Sequence, residues 1–396
     1  MRLKRLLAIS LIMTITALML ASCGGGEGEG KGVIKIGLTA PLSGVGAKYG
    51  QDCQDGISLA IEDINAKGGI TVGGKQYVFE LYPADDEAVP DKAKTNAERF
   101  VLENGIKFVF CPYATCINTL MDMNTRAGEE FLIMAYTSVP LYAQRSNPYM
   151  ITLPPPFASY IPDFIKFAMG RGWKKVALLQ TTGSYGELWG KYFKDAWTKA
   201  GGTVVAEAPA SYYTETDFTA YIQKALAGGP DVLFVGGPSQ PTAQVMKQAR
   251  GLGFKGGFIV IDQAKMDEIA DVIGMDMMEG AVGVLPVEDS QFPATLPFAK
   301  KYRDKFGRRC TWETVIHYSA FHILARAIEK AGTVEDVKAI RDAFNAEGVA
   351  VLPGEEYPMQ YSGINPATGA LFMPATASYV QGGKFVPLEM IEWWKK

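Results

Sequence analysis

Cysteine and histidine are the side chains in this sequence best suited to chemistry beyond packing, and the chain has five of the first and two of the second. Cys111 and Cys116 stand in C-P-Y-A-T-C, four residues apart. A structural zinc site normally adds a second closely spaced pair, and none is present, so the spacing favours a disulfide over a metal. Cys53 and Cys310 allow other pairings, but the short Cys111–Cys116 link, stapling a loop at a strand end, is the one expected in an oxidising compartment. His317 and His322, five apart on a helical pattern, give neither a histidine-rich metal site nor a catalytic triad. Ser239 lies in G-P-S-Q-P, which is not the G-x-S-x-G nucleophile elbow; no G-K-[ST] phosphate loop or full dinucleotide fingerprint appears either. The expectation is a protein with no catalytic residues, no metal and no cofactor: not an enzyme.

The first residues are not fold material. Arg2, Lys4 and Arg5 precede an apolar run from Leu6 to Leu20, and small residues lead to Cys23. That order is an export signal over residues 1–22, too short and wrongly flanked for a lasting transmembrane helix. Leu20-Ala21-Ser22-Cys23 has the form of a bacterial lipobox, in which the cysteine becomes the acylated first residue of the mature chain; an ordinary secretory signal with a chance cysteine is the alternative. The glycine-rich stretch in residues 23–33 cannot pack a core and reads as a flexible tether. Acyl chains on Cys23 would anchor the protein at about 0.8 kcal/mol per buried CH₂.

Loss of residues 1–22 takes three positive charges from a chain of formal net charge −3, leaving −6 on 374 residues. A modest acidic excess gives no general attraction to nucleic acid or to anionic lipid. A hydrophobic fraction of 48% excludes disorder, and 43 glycines without a triplet period exclude collagen. The length suits two domains.

The elements that must position any site follow an alternation. Strands at 33–39, 75–82, 106–110 and 131–135 are separated by helical patterns at 46–66, 90–103 and from the third strand to about 129. After an apolar segment at 149–153 and the P-P-P run at 154–156, the alternation restarts. Strands at 175–180, 203–207, 231–235 and 257–261 lie between helices at 157–170, 186–200, 217–228 and 240–251. The segment 281–286 precedes helices near 294–306, 312–331 and 335–346, and 357–396 is strand- and turn-like. Near-continuous apolar strands between amphipathic helices predict parallel sheets covered on both faces. The fold class is α/β: two doubly wound, Rossmann-like lobes with parallel central sheets, whose strand carboxyl ends open on a cleft suited to a small polar ligand.

The stretch G-L-T-A-P-L-S-G-V-G-A-K-Y-G followed by G-I-S-L-A-I-E-D-I-N-A-K-G-G-I resembles the start of the leucine/isoleucine/valine-binding proteins, the type I solute-binding proteins of branched-chain amino acid ABC transporters. G-K-Q-Y-V-F-E-L-Y-P-A-D-D, T-T-G-S-Y-G (181–186) and V-M-K-Q-A-R-G-L-G (245–253) extend the resemblance over the mature chain. The family's chain crosses between its lobes three times. The resemblance therefore implies lobe one from 34–153 plus 285–357, lobe two from 154–284 plus 358–396, and a three-segment hinge.

It also implies a ligand set. The hydroxyl after the third strand corresponds to Thr115, whose other reading is a helix N-cap. In A-Y-T-S-V-P, Thr137 and Ser138 stand where relatives contact the ligand's main group, although the usual threonine position falls near Pro140; a plain turn is the alternative. Tyr185 matches a ligand tyrosine, or packs on its own lobe. Asp262 falls at the acidic position that accepts the ligand ammonium, or caps a helix beginning near Gln263. Tyr49, Tyr113, Tyr136 and Trp312 are candidates for an aromatic wall, and Ser239 and Gln240 for a further contact. The implied function is capture of an amino acid, branched-chain or otherwise apolar or aromatic, and delivery to permease subunits by a lipid-anchored monomer outside the cytoplasmic membrane. Uptake of an aromatic or aliphatic carboxylate or amide, and ligand sensing, are the alternatives; the lack of an appended signalling segment favours transport.

Overall fold

The computed structural model describes residues 30–145 and 147–395, so Cys23 and the leader lie outside the described residues. Six strands form the first sheet: β1 (Gly32–Ala40), β2 (Ile70–Val72), β3 (Lys75–Asp85), β4 (Phe108–Cys111), β5 (Leu132–Ala135) and β6 (Met150–Thr152), in the order β2-β3-β1-β4-β5-β6. The second sheet starts with β7 (Lys175–Gln180), β8 (Thr203–Glu207), β9 (Val232–Gly236), β10 (Gly257–Val260) and β11 (Ala281–Val284). A small ladder of β12 (Val351–Leu352) and β13 (Tyr361–Ser362) intervenes before β14 (Ala377–Gln381) and β15 (Lys384–Leu388) return to the second sheet, whose order is β15-β14-β11-β10-β9-β7-β8.

The core ladders are parallel, as β1·β4, β4·β5, β9·β10 and β10·β11 show. The edges are not. β2 pairs antiparallel with β3, and β14 antiparallel with both β11 and β15, so antiparallel edge strands flank the expected parallel centres. Short turns explain the difference: Gly73-Gly74 and Gly382-Gly383 each reverse the chain with left-handed backbone, and a hairpin pairs neighbouring strands antiparallel.

Alternate residues of the second sheet divide between two cores. Val176, Leu178, Val232 and Phe234 face one, Ala177, Leu179, Leu233 and Val235 the other, which is what burial on both faces requires. In the first lobe, helix Ala47–Ala66 lies against helix Trp312–Ala331 so closely that a Cβ on Gly56 would sit 2.3 Å from the Thr314 carbonyl oxygen. Helix Ala114–Met121 is shorter than its pattern predicted. Asn124 ends it by donating to the carbonyls of Phe131 and Tyr149, 3.3 and 2.9 Å away.

The expected Cys111–Cys116 disulfide is not formed: Cys53, Cys111, Cys116 and Cys310 are all free and buried. Cys111 closes β4 and Cys116 enters the first turn of the next helix, and both pack as apolar members of the core. Burial pushes each thiol well above the usual cysteine range, so neither supplies the thiolate that disulfide exchange requires. His317 and His322 are likewise buried in helix Trp312–Ala331, with His317 Nδ1 2.7 Å from the Glu313 carbonyl oxygen.

Candidate ligand-binding site

Four parallel strands end at one place. β4 runs into Pro112 and Tyr113 before helix Ala114–Met121, and β5 into Tyr136, Thr137 and Ser138. From the other lobe, β7 delivers Thr181 and Thr182 to helix Ser184–Lys199, and β10 delivers Asp262, Gln263 and Lys265 to helix Met266–Ile273. These loops meet around a chamber of about 680 Å³, its mouth included, closed by Tyr49, Pro154, Tyr213 and Glu313. Helix N-termini on both sides direct free backbone N–H groups toward it, a setting that favours an anion. Tyr185 reaches the chamber because the first turn of its helix hugs β7: a Cβ on Gly186 would lie 1.9 Å from the Thr181 carbonyl oxygen.

Thr115, Thr137, Ser138, Tyr185, Asp262, Tyr49, Tyr113 and Tyr136 all line this chamber. Two of their alternative readings fall away. Thr115 is not the N-cap, a position held by Tyr113 without a side-chain bond, and Asp262 caps no helix, because the next one begins at Met266 with Lys265 as its N-cap. Asp262 Oδ1 instead accepts from the Tyr185 hydroxyl and, at 2.8 Å, from Trp189 Nε1.

Two candidates stand elsewhere. Trp312 is buried outside the chamber, its indole Nε1 donating to the Leu285 carbonyl at 2.6 Å. Ser239 and Gln240 line a wider groove of about 2100 Å³ outside the chamber, and Ser239 Oγ accepts from the Lys265 backbone N–H at 3.0 Å.

Sequence reasoning missed the ion pair at the centre. Lys265 Nζ lies 2.7 Å from Glu313 Oε1, with both side chains almost wholly buried. The remaining Lys265 donors reach the carbonyls of Asp262 and Gln263 at 3.1 and 2.9 Å, so its ammonium is saturated by the protein. Burial works against the charge, but the carboxylates of Glu313, Asp262 and Glu268 together outweigh it and hold the Lys265 pKa above its ordinary value. The Tyr136 hydroxyl donates to the same Glu313 oxygen at 3.2 Å. Lys265 was legible, three residues beyond Asp262. Glu313 comes from a distant helix, and its only trace in the sequence is Gly56, which lets that helix approach.

A family model described as periplasmic binding protein matches residues 33–382. The chain belongs to the periplasmic binding proteins. Within that family its relatives are the leucine/isoleucine/valine-binding proteins: it is 27% identical over 374 residues to one from Rhizobium johnstonii, covering 90% of this chain and 94% of the relative. The fold is shared with a leucine-binding protein of Thermotoga maritima, at a TM-score of 0.75 and 20% identity over 92% of this chain and 100% of that one. It is also shared with an ABC-transporter solute-binding protein of Rhodopseudomonas palustris solved with 3,4-dihydroxybenzoic acid, at a TM-score of 0.74 and 24% identity over 92% and 99%. This periplasmic binding protein thus belongs to a non-catalytic, extracytoplasmic family of solute-binding proteins.

Proposed function

We propose that the chamber binds a zwitterionic amino acid with an apolar or aromatic side chain and surrenders it to the permease. The observation that carries this reading is the charge arrangement. Among the chamber-lining residues the one cation, Lys265, is saturated by Glu313 and two carbonyls, which leaves Asp262 as a carboxylate held only by neutral donors. A ligand ammonium would pair directly with this half-buried carboxylate, which makes no ion pair of its own with Lys265. The ligand carboxylate would sit at the opposite end, on Thr115 and the start of helix Ala114–Met121, with Thr137 and Ser138 beside it. Tyr49, Tyr113, Tyr136 and Tyr185 would flank the side chain. The relatives' names, which specify leucine, isoleucine and valine, support the same class.

The rest of the reading concerns how the site is carried. We assign lobe one to 34–153 plus 285–357 and lobe two to 154–284 plus 358–396, supported by β1–β6 sharing one sheet, by β7–β11, β14 and β15 sharing the other, and by the packing of helix Trp312–Ala331 on helix Ala47–Ala66. The last crossing falls later than 358, because β13 pairs with β12 and Ala370 bridges to Thr152. Three crossings then act as a hinge on which a bound ligand holds the lobes together. A lipid on Cys23 would keep the monomer near its permease.

The tyrosine-rich wall keeps one second reading, an aromatic carboxylate. Calorimetric titration with leucine, valine and phenylalanine, and with their deaminated acids and benzoate, separates the two. Amino acids should bind and deaminated acids should not; tight binding of a deaminated acid overturns the amino-acid reading in favour of carboxylate uptake.

A further inference from the structure

The chamber and the wider groove are neighbours, and the wall between them is built from both lobes. Tyr113, Tyr213 and Gln263 line both spaces. The rings of Tyr113 and Tyr213 meet edge to face across the cleft, centroids 6.2 Å apart at 85°. Gln263 Nε2 donates to the Tyr213 hydroxyl at 2.8 Å. A ring contact with Tyr113 and a hydrogen bond from Gln263 thus hold the Tyr213 ring over the chamber, with roughly three times the chamber's space beyond it (about 2100 against 680 Å³).

We propose that Tyr213, braced by Tyr113 and Gln263, sets the greatest length of side chain the binding site accepts. The inference rests on the amino-acid reading above, in which the ligand's polar ends are held at Thr115 and Asp262 and its side chain points along the tyrosine wall. Tyr213 is suited to the part because it occupies a loop rather than a strand. Its neighbour Tyr212 is buried and anchors that loop through a 2.5 Å bond to the Leu179 carbonyl, so removal of the Tyr213 ring opens the wall without freeing the segment. Both lobes contribute to the stop, so it is complete only when the cleft is closed and it acts on the bound state.

The test is calorimetric affinity for leucine, phenylalanine, homophenylalanine and 4-phenylphenylalanine, with benzoate, 3-phenylpropionate and 5-phenylpentanoate in parallel, on wild type, Tyr213→Ala and Tyr213→Phe. Wild type should lose affinity beyond the length the chamber holds. Tyr213→Ala should raise the long-to-short affinity ratio by about tenfold or more, the scale on which pocket size discriminates among apolar groups. Tyr213→Phe, which keeps the ring, should retain the wild-type order. An unchanged ratio in Tyr213→Ala, in whichever series wild type binds, overturns the length stop and leaves the transport reading standing. A wild type that binds only the carboxylates overturns the amino-acid reading, and the same ratio in that series then decides the stop by itself. Binding of neither series overturns both.

Discussion

At the scale of single residues, one half-buried carboxylate and one buried imidazole make the structure's electrostatics measurable. Asp262 accepts two hydrogen bonds on one oxygen, and asparagine can present an oxygen to the same donors, Tyr185 and Trp189. Asp262→Asn therefore removes charge while keeping the local bonds. Leucine or phenylalanine affinity should fall by about 2–5 kcal/mol, roughly 30-fold or more, with the unfolding midpoint of the free protein nearly unmoved. Calorimetry beside chemical denaturation checks both halves, and unchanged affinity would remove Asp262 from the site. His317 offers a pH signature. Burial depresses its pKa to about 4 from an ordinary 6.5. The unfolded chain takes up the proton from about pH 6.5 downward while the folded protein resists it until about pH 4. Stability is thus fully present above pH 6.5 and is lost as pH falls through this window, by about 3 kcal/mol in total. His317→Gln should lack this component. The stability difference between wild type and variant should shrink by that amount from pH 6.5 to 4, and parallel curves would refute the assignment.

At the scale of elements, the Lys265–Glu313 pair ties the loop after β10 to the first turn of helix Trp312–Ala331. Removing one partner strands the other in a low-dielectric interior, whereas removing both charges avoids that penalty. Lys265→Met should cost about 3–5 kcal/mol in urea denaturation, and Lys265→Met combined with Glu313→Gln should recover most of it. Additive losses in the double variant would mean that the pair is not coupled. The neighbouring ties between the lobes differ in kind. Lys48–Glu268 at 2.5 Å and Arg309–Asp271 at 3.0 Å involve solvent-exposed partners, where screening leaves little net energy. By the lobe assignment proposed above, the buried pair also spans the two lobes and favours the closed arrangement. It parts only as both groups regain water when the cleft opens, while the outer pairs break and re-form at modest cost.

At the scale of the whole molecule, a ligand that touches both lobes stabilises whichever arrangement brings them together, by an amount set by its differential affinity. A lipid on Cys23 would decide where that event happens. Cys23→Ser should move the exported protein from the detergent-extracted membrane fraction to the aqueous fraction, and intact mass of the wild type should start at an acylated residue 23. An aqueous wild type with an unmodified amino terminus elsewhere would refute lipidation. The variant should bind its ligand as the anchored protein does, since the first sheet begins only at Gly32, beyond most of the tether.

The sequence by itself determined the two runs of α/β alternation, because side-chain period and glycine punctuation act over a few residues and need no partner. The resemblance to the leucine/isoleucine/valine-binding proteins picked out Thr115, Thr137, Ser138, Tyr185 and Asp262, which follow strand carboxyl ends and line the chamber. Short-range spacing could not say what those residues would meet. Cys111 and Cys116 were close enough in sequence to suggest a bond, but the direction of the core turned both thiols inward and kept them protonated. Trp312 was near a crossing, yet its ring was drawn into the interior by the Leu285 carbonyl. Glu313 and Tyr213 reached the chamber from remote segments, and Asp262 acquired Tyr185 and Trp189 as partners from another strand's helix. Those outcomes belong to tertiary structure because the energy of a buried charge or ring is set by what surrounds it in space, and these surroundings come from chain segments dozens to hundreds of residues apart.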